Sequence, residues 1–180
     1  MKIAITGHTK GIGKALATEA KLKDYEVKGL SRSTGHDITL TSIIDEIKDC
    51  DVFINNAYAP YYQTQILKDI IKEWQHQDKL IVNISSKMSI LDNAPEGLHT
   101  YFRDKYEQNE IIRKQSIRAF PKVMNVILGL TDTEMSKVYD VETKMSTRDV
   151  ATVIFNLIEA PVSVQQVMLD APGFDWKQIG

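Results

Sequence analysis

Short β-type runs alternate with helical patterns along the whole chain, and this alternation narrows the possible architectures more than any other feature. A strand followed by a helix returns to the sheet in the same direction, so the pattern predicts successive βαβ units around a parallel sheet. Strands are predicted near Lys2 to Thr6, Glu26 to Ser31, Asp51 to Asn55, Leu80 to Ser85, Val123 to Leu128 and Val164 to Leu169. Three of them carry continuous apolar cores, VFI, LIV and VIL, as strands covered on both faces should. Between them, Ile66, Leu67, Ile70, Ile71 and Trp74 recur at helical spacing and predict a helix from Thr64 to His76 whose apolar stripe packs on the sheet. Further helices are predicted over Tyr101 to Arg118 and after Ser146, where Ser146 and Asp149 fit a capping box and Pro161 ends the run. Shorter ones should follow Gly13 and Thr41. The expected fold is α/β: a Rossmann-like, doubly wound parallel sheet of about six strands with helices on both faces, formed by one domain over residues 1–180.

Composition excludes several function classes. Apolar residues are 43% and charged residues 26%, so the chain is globular rather than disordered. Its 22 basic and 24 acidic side chains give a formal charge of −2, which argues against a nucleic-acid partner held by phosphate neutralisation. Cys50 is the single cysteine, and the four histidines lack ligand spacing, so neither a disulfide nor a metal site is expected. The apolar runs are too short to cross a membrane. A soluble, cytoplasmic protein without a membrane partner is expected.

In doubly wound sheets, ligands bind beyond the carboxyl ends of the strands, so the residues that follow each strand carry the functional signal. After the first comes Thr6-Gly7-His8-Thr9-Lys10-Gly11-Ile12-Gly13, then a helical run. Such glycines let backbone N–H groups approach a pyrophosphate at a helix N-terminus, where the helix dipole favours an anion. The second strand ends in Ser31-Arg32-Ser33, where an NAD site would place an acidic residue for the ribose 2′-hydroxyl. Arg32 can grip a 2′-phosphate with a forked pair of donors and Lys10 adds a second positive charge, so the pattern favours NADP(H) over NAD(H).

TGxxxGxG after the first strand and Asn55-Asn56-Ala57 after the third resemble the short-chain dehydrogenase/reductase family. Ser86 at the end of IVNISS and Tyr101-Phe102-Arg103-Asp104-Lys105, a YxxxK sequence, strengthen the resemblance. With seven tyrosines in the chain, YxxxK alone is weak; its order and spacing after Ser86 carry the weight. The resemblance implies an NADP-dependent oxidoreductase that moves a hydride between NADPH and a carbonyl or alcohol substrate. Tyr101 would be the acid/base, Lys105 would hold the nicotinamide ribose and favour the phenolate, and Ser86 would bond the carbonyl oxygen. It further implies cofactor contacts from Gly7, Thr9, Lys10, Gly11, Ile12, Gly13, Ser31, Arg32, Ser33, Asp37, Ile38, Asn56, Ala57, Thr131 and Thr133. Asp37 and Ile38 match the pair at the adenine, and Thr133 the residue facing nicotinamide or pyrophosphate.

The chain is short for this family. Only four residues separate Arg32 from Asp37, where a helix and a strand are usual, so the second strand should form the sheet edge. Tyr58 replaces the glycine usual after Asn-Asn-Ala, and Leu128 stands where proline is usual before Gly129. The family's catalytic asparagine has no counterpart, and Gln63 and Gln65 are the two candidates to replace it. Beyond Thr133, the segment before Ser146, where relatives build a substrate lid, holds only a dozen residues, including Met135, Val138, Tyr139 and Met145. Relatives pair through the helix holding YxxxK, which with the stripe including Trp74 suggests a homodimer or homotetramer. An alternative reading is a non-catalytic NADP-binding regulator or redox sensor on the same fold.

Overall fold

A computed structural model describes residues 1–40, 43–94 and 96–173. Six parallel strands form one sheet: β1 Lys2–Thr6, β2 Glu26–Leu30, β3 Val52–Asn55, β4 Leu80–Ser86, β5 Lys122–Leu128 and β6 Gln166–Leu169. Their order is β2-β1-β3-β4-β5-β6, so β2 is an edge, as the short Arg32-to-Asp37 interval requires. The direction of strand addition reverses between β1 and β3, which opens a crevice at their carboxyl ends.

The helices are α1 Gly11–Leu22, α2 Ile44–Ile47, α3 Tyr62–Glu73, α4 His99–Gln115 and α5 Thr147–Ile158. The start predicted at Thr41 lies outside the described residues. Ser146 caps α5 as predicted, its Oγ accepting the Asp149 N–H at 3.0 Å.

Strand alternation divides the core between the two faces. Ile3, Ile5, Val82 and Val126 meet Leu16 and Ala20 of α1 and Ile154 and Phe155 of α5. Ala4, Phe53, Ile81 and Val123 meet Leu67, Ile70 and Trp74, with Ile112 of α4. The Trp74 stripe therefore covers the chain's own sheet: Trp74 is fully buried and its indole N–H donates to the Lys48 carbonyl at 3.2 Å. The stripe packs on the sheet as predicted, because β3 and β4 need an apolar cover and α3 is the element laid across them.

α4 meets the sheet differently, with a buried polar face of Asp104, Lys105, Gln108 and Gln115. Opposite it stand Asn55, Asn83 and Asn125, in register across β3, β4 and β5. Asn55 Nδ2 donates to Asn83 Oδ1 (3.0 Å), and Asn83 Nδ2 donates to Asn125 Oδ1 (3.2 Å) and Gln108 Oε1 (3.1 Å). Buried amides are tolerated when their partners are supplied in this way. The ladder sets the height at which α4 presents its first turns.

Candidate active site

The turn after β1 is built around two glycines. Gly7 has φ 71°, a conformation that side chains disfavour, and its N–H donates to Leu30 O at 2.7 Å, tying the turn to β2. Gly13 lies against that turn, and a Cβ there would stand 2.2 Å from the Gly7 carbonyl oxygen and 2.7 Å from Asn56 Nδ2. Asn56 secures the floor: its Nδ2 donates to Thr6 O at 2.9 Å, while the Asn56 and Ala57 N–H groups donate to Thr6 Oγ1 at 2.9 and 3.0 Å. Asn56 and Ala57 thus support the turn from below. α1 begins at Gly11 with neither a side-chain cap nor an acidic residue in its first turn, so its leading N–H groups are available to an anion. Thr9 and Lys10 are exposed at the mouth of the turn and Ile12 is half-buried. The Thr133 methyl, 3.3 Å from the Cβ position of Gly11, brings the loop after β5 to the same turn.

At the end of β2 the chain bends through a short 3₁₀ turn, Arg32–Thr34. Ser31 Oγ and Ser33 Oγ are 2.9 Å apart, and Arg32 is exposed with no acidic residue beside it in the turn. Asp37 Oδ1 accepts the Thr39 N–H (2.9 Å) and hydroxyl (2.8 Å), which hold its carboxyl below the usual range with help from Arg32's charge. Ile38, next to it, packs against the core on the α3 side. Thr131, another residue expected at the cofactor, is buried, and its hydroxyl donates to Gly129 O at 3.3 Å within the loop after β5.

Ser86, Tyr101 and Lys105 converge at the carboxyl end of β4. Ser86 ends the strand and hydrogen-bonds Tyr101 in the first turns of α4. Burial pushes the Tyr101 phenol up from its ordinary value, the Ser86 bond pulls it down, and Tyr139 opposes its ionisation. Lys105, one turn further and on the same face, is 3% exposed. Its ammonium donates to Gln63 Oε1 at 2.7 Å and Ile84 O at 2.9 Å, and lies 5.5 Å from the Tyr101 ring centroid. Burial lowers Lys105 to about 7, with the charge of Asp104 acting in the opposite direction.

Gln63, not Gln65, reaches the triad. Its Nε2 donates to Asn55 O at 2.9 Å and Ile84 O at 3.3 Å, so its Oε1 must face the ammonium. Gln65 is on the surface, bonded to Asp69 at 2.8 Å. Sequence reasoning missed the asparagine ladder beneath this group. The signal was there: Asn83 and Asn125 interrupt apolar strand runs and Asn55 ends one, positions where asparagine is disfavoured unless another amide pairs with it. Among the described residues no cluster of His, Cys, Asp or Glu could hold a metal, and no helix is long and apolar enough to cross a membrane.

The Lys105 environment makes stability depend on pH. Unfolded, the side chain titrates near its ordinary value of about 10.4; folded, at about 7. Between these values the unfolded chain binds more protons, so stability should rise with pH from about 7 toward 10, by at most about 1.4 kcal/mol per pH unit. Above about 10 the sign reverses, because Tyr58 and Tyr101, both pushed up by burial, keep protons that the unfolded chain loses. Thermal unfolding at pH 7, 8 and 9 should show Tm rising by roughly 3 °C per unit. Lys105→Met should flatten the profile, and a flat wild-type profile would contradict the burial of a titrating ammonium.

No protein-family model matches the sequence, and no curated protein matches it. Solved structures do match. An alcohol dehydrogenase from the archaeon Thermococcus sibiricus, complexed with 5-hydroxy-NADP, superposes with a TM-score of 0.79 at 18% identity, over 97% of this chain and 98% of that one. A short chain dehydrogenase from Burkholderia cenocepacia J2315 in complex with NADP gives 0.71 at 18%, over 93% and 87%. A 4-hydroxyisoleucine dehydrogenase complexed with NADH gives 0.72 at 16%, over 94% and 96%. The chain has the fold of these dehydrogenases.

Proposed function

We propose that this chain is an NADP(H)-dependent oxidoreductase of the short-chain dehydrogenase/reductase type, moving a hydride between NADPH and a small carbonyl or alcohol substrate. The observation that supports this most is the meeting of Ser86, Tyr101 and Lys105 beside an uncapped glycine turn at the topological switch point. The three proteins of like fold named above are dehydrogenases, seen with 5-hydroxy-NADP, NADP and NADH respectively.

The turn suits a dinucleotide, since Gly13 leaves no side chain between the first turn of α1 and Gly7. Gly7, Gly11 and Ile12 would hold the pyrophosphate, Arg32, Ser31, Ser33 and Lys10 a 2′-phosphate, and Asp37 and Ile38 the adenine. When bound, NADPH supplies the hydride. As the substrate oxygen gains charge, Ser86 donates a hydrogen bond to it and Tyr101 gives up its phenolic proton. A phenol raised by burial keeps that proton until an alkoxide is there to take it. The Lys105 ammonium then favours the phenolate left behind, and Gln63 holds it within reach. NADPH oxidation screened against ketones, aldehydes and pteridines tests the reading; binding of NADPH with no turnover in any of them supports the regulator or sensor instead. The inward-turned ammonium of Lys105 is the observation that favours this second reading.

Cofactor choice is expected to rest on Arg32. NADPH should bind more tightly than NADH, and Arg32→Asp should reduce the preference by about tenfold or more, through loss of a charge-assisted pair. Isothermal titration with both nucleotides checks this, and equal affinities in the wild type would refute it.

A homodimer or homotetramer is expected, with α4 as the contact. Phe102 and Tyr106 stack there with centroids 6.1 Å apart, and Tyr106 is half exposed. Light scattering at micromolar concentration should give a mass above the 20.4 kDa of one chain. We place the protein in the cytoplasm, where its buried Cys50 stays reduced.

A further inference from the structure

Tyr58 and Asp104 are two buried or half-buried polar residues that the triad mechanism does not use. Tyr58 stands on the loop after β3, where the family resemblance implies a glycine. Its ring meets the Tyr101 ring edge-on, with centroids 4.8 Å apart at 75°. The Lys105 ammonium lies 5.6 Å from the Tyr58 centroid, within cation–π range. Tyr58's hydroxyl donates to Asp104 Oδ2 at 3.2 Å, and the Tyr61 N–H donates to the same oxygen at 2.9 Å. Asp104 is 1% exposed and its Oδ1 has no hydrogen-bond partner, so its charge is only partly compensated by these two bonds.

We propose that Tyr58 and Asp104 act as one positioning device for Lys105: the carboxylate pins and polarises the Tyr58 ring, and the ring holds the ammonium beside Tyr101. A carboxylate that accepts from a phenol makes the ring face more negative, which strengthens its attraction for a cation. Tyr58's phenol is pushed up by burial and by Asp104, so it remains a donor throughout the working pH range. The titratable groups around Lys105 among the described residues are Tyr58 from the β3–α3 loop, and Tyr101 and Asp104 from α4. From α3 and β4 the ammonium meets the neutral acceptors Gln63 and Ile84 O. The device thus supplies the negative charge and the electron-rich face that offset burial of this lysine. Its consequence for catalysis rests on the oxidoreductase reading, whereas its existence does not.

The test is NMR titration of Lys105 in protein labelled with 13C-lysine, the signal assigned by its loss in Lys105→Met. Asp104→Asn and Tyr58→Leu should each lower the Lys105 midpoint by about one pH unit. The double variant should lower it by less than the two shifts combined, because both act through one contact. Midpoints unmoved in folded variants would overturn the proposal, even if Tm falls, since a purely structural role lowers Tm alone. Asp104→Ser serves as the uncharged variant should Asp104→Asn fail to fold. Failure of the wild type to bind NADPH in a fluorescence titration removes the oxidoreductase reading and leaves the midpoint comparison standing.

Discussion

Tyr101→Phe should lose on the order of 100-fold or more in kcat/KM with NADPH and whichever carbonyl compound the wild type reduces. The substitution removes one hydroxyl from a half-buried ring. The edge-on contact with Tyr58 and the position of Lys105 over the ring should survive, so the fold and NADPH affinity should change little. What disappears is the hydroxyl proposed as the proton donor, with its bond to Ser86. Ser86→Ala should lower the rate with a smaller effect on cofactor binding, because its bond strengthens only as the substrate oxygen gains charge. A Tyr101→Phe protein as fast as its parent would show that the proton comes from elsewhere, and the triad mechanism would fall with the fold intact.

Gly13→Ala should damage both stability and cofactor binding. The added methyl would sit 2.2 Å from the Gly7 carbonyl oxygen and 2.7 Å from the Asn56 amide, and neither is a flexible tip that can step aside. Asn56 is tied to Thr6, and Gly7 is held to Leu30 at 2.7 Å, so the turn must open away from α1. Overpacking of this kind costs about 2–3 kcal/mol, which for a chain this long lowers Tm by roughly 5–10 °C. Opening the turn also moves the α1 N-terminus away from where a pyrophosphate would lie, so NADPH binding should fall below detection in the same protein. An alanine variant that binds NADPH as the wild type does would mean that the turn is not the phosphate cradle.

Much of this site was legible in the residues themselves. TGHTKGIG announces a tight turn leading into a helix, and glycine spacing is a local property that survives any packing. Tyr101 and Lys105 are four apart on a helix, so their common face follows from 3.6 residues per turn. The edge position of β2 followed from the four residues between Arg32 and Asp37, too few for another strand and helix. Gln63 was harder, because Gln63 and Gln65 are equivalent in a one-dimensional reading. Only the inward direction of the first turn of α3 selects Gln63, and only the Asn55 and Ile84 carbonyls turn its oxygen to Lys105.

The Trp74 stripe was readable as well: helical periodicity identified an apolar face expected to lie on the sheet, and the sheet of the same chain covers it. The partners of Tyr58 were unreadable, since Tyr58 and Asp104 are far apart along the chain and meet only when α4 settles on the asparagine ladder. Local chemistry and spacing, which depend on neighbours in the chain, therefore determined the fold class, the glycine turn, the charge at the end of β2 and the Tyr-Lys pair. Tertiary packing decided which polar groups are buried together, and so the charge environment of Lys105, because desolvation and long-range hydrogen bonds exist only once the layers have closed.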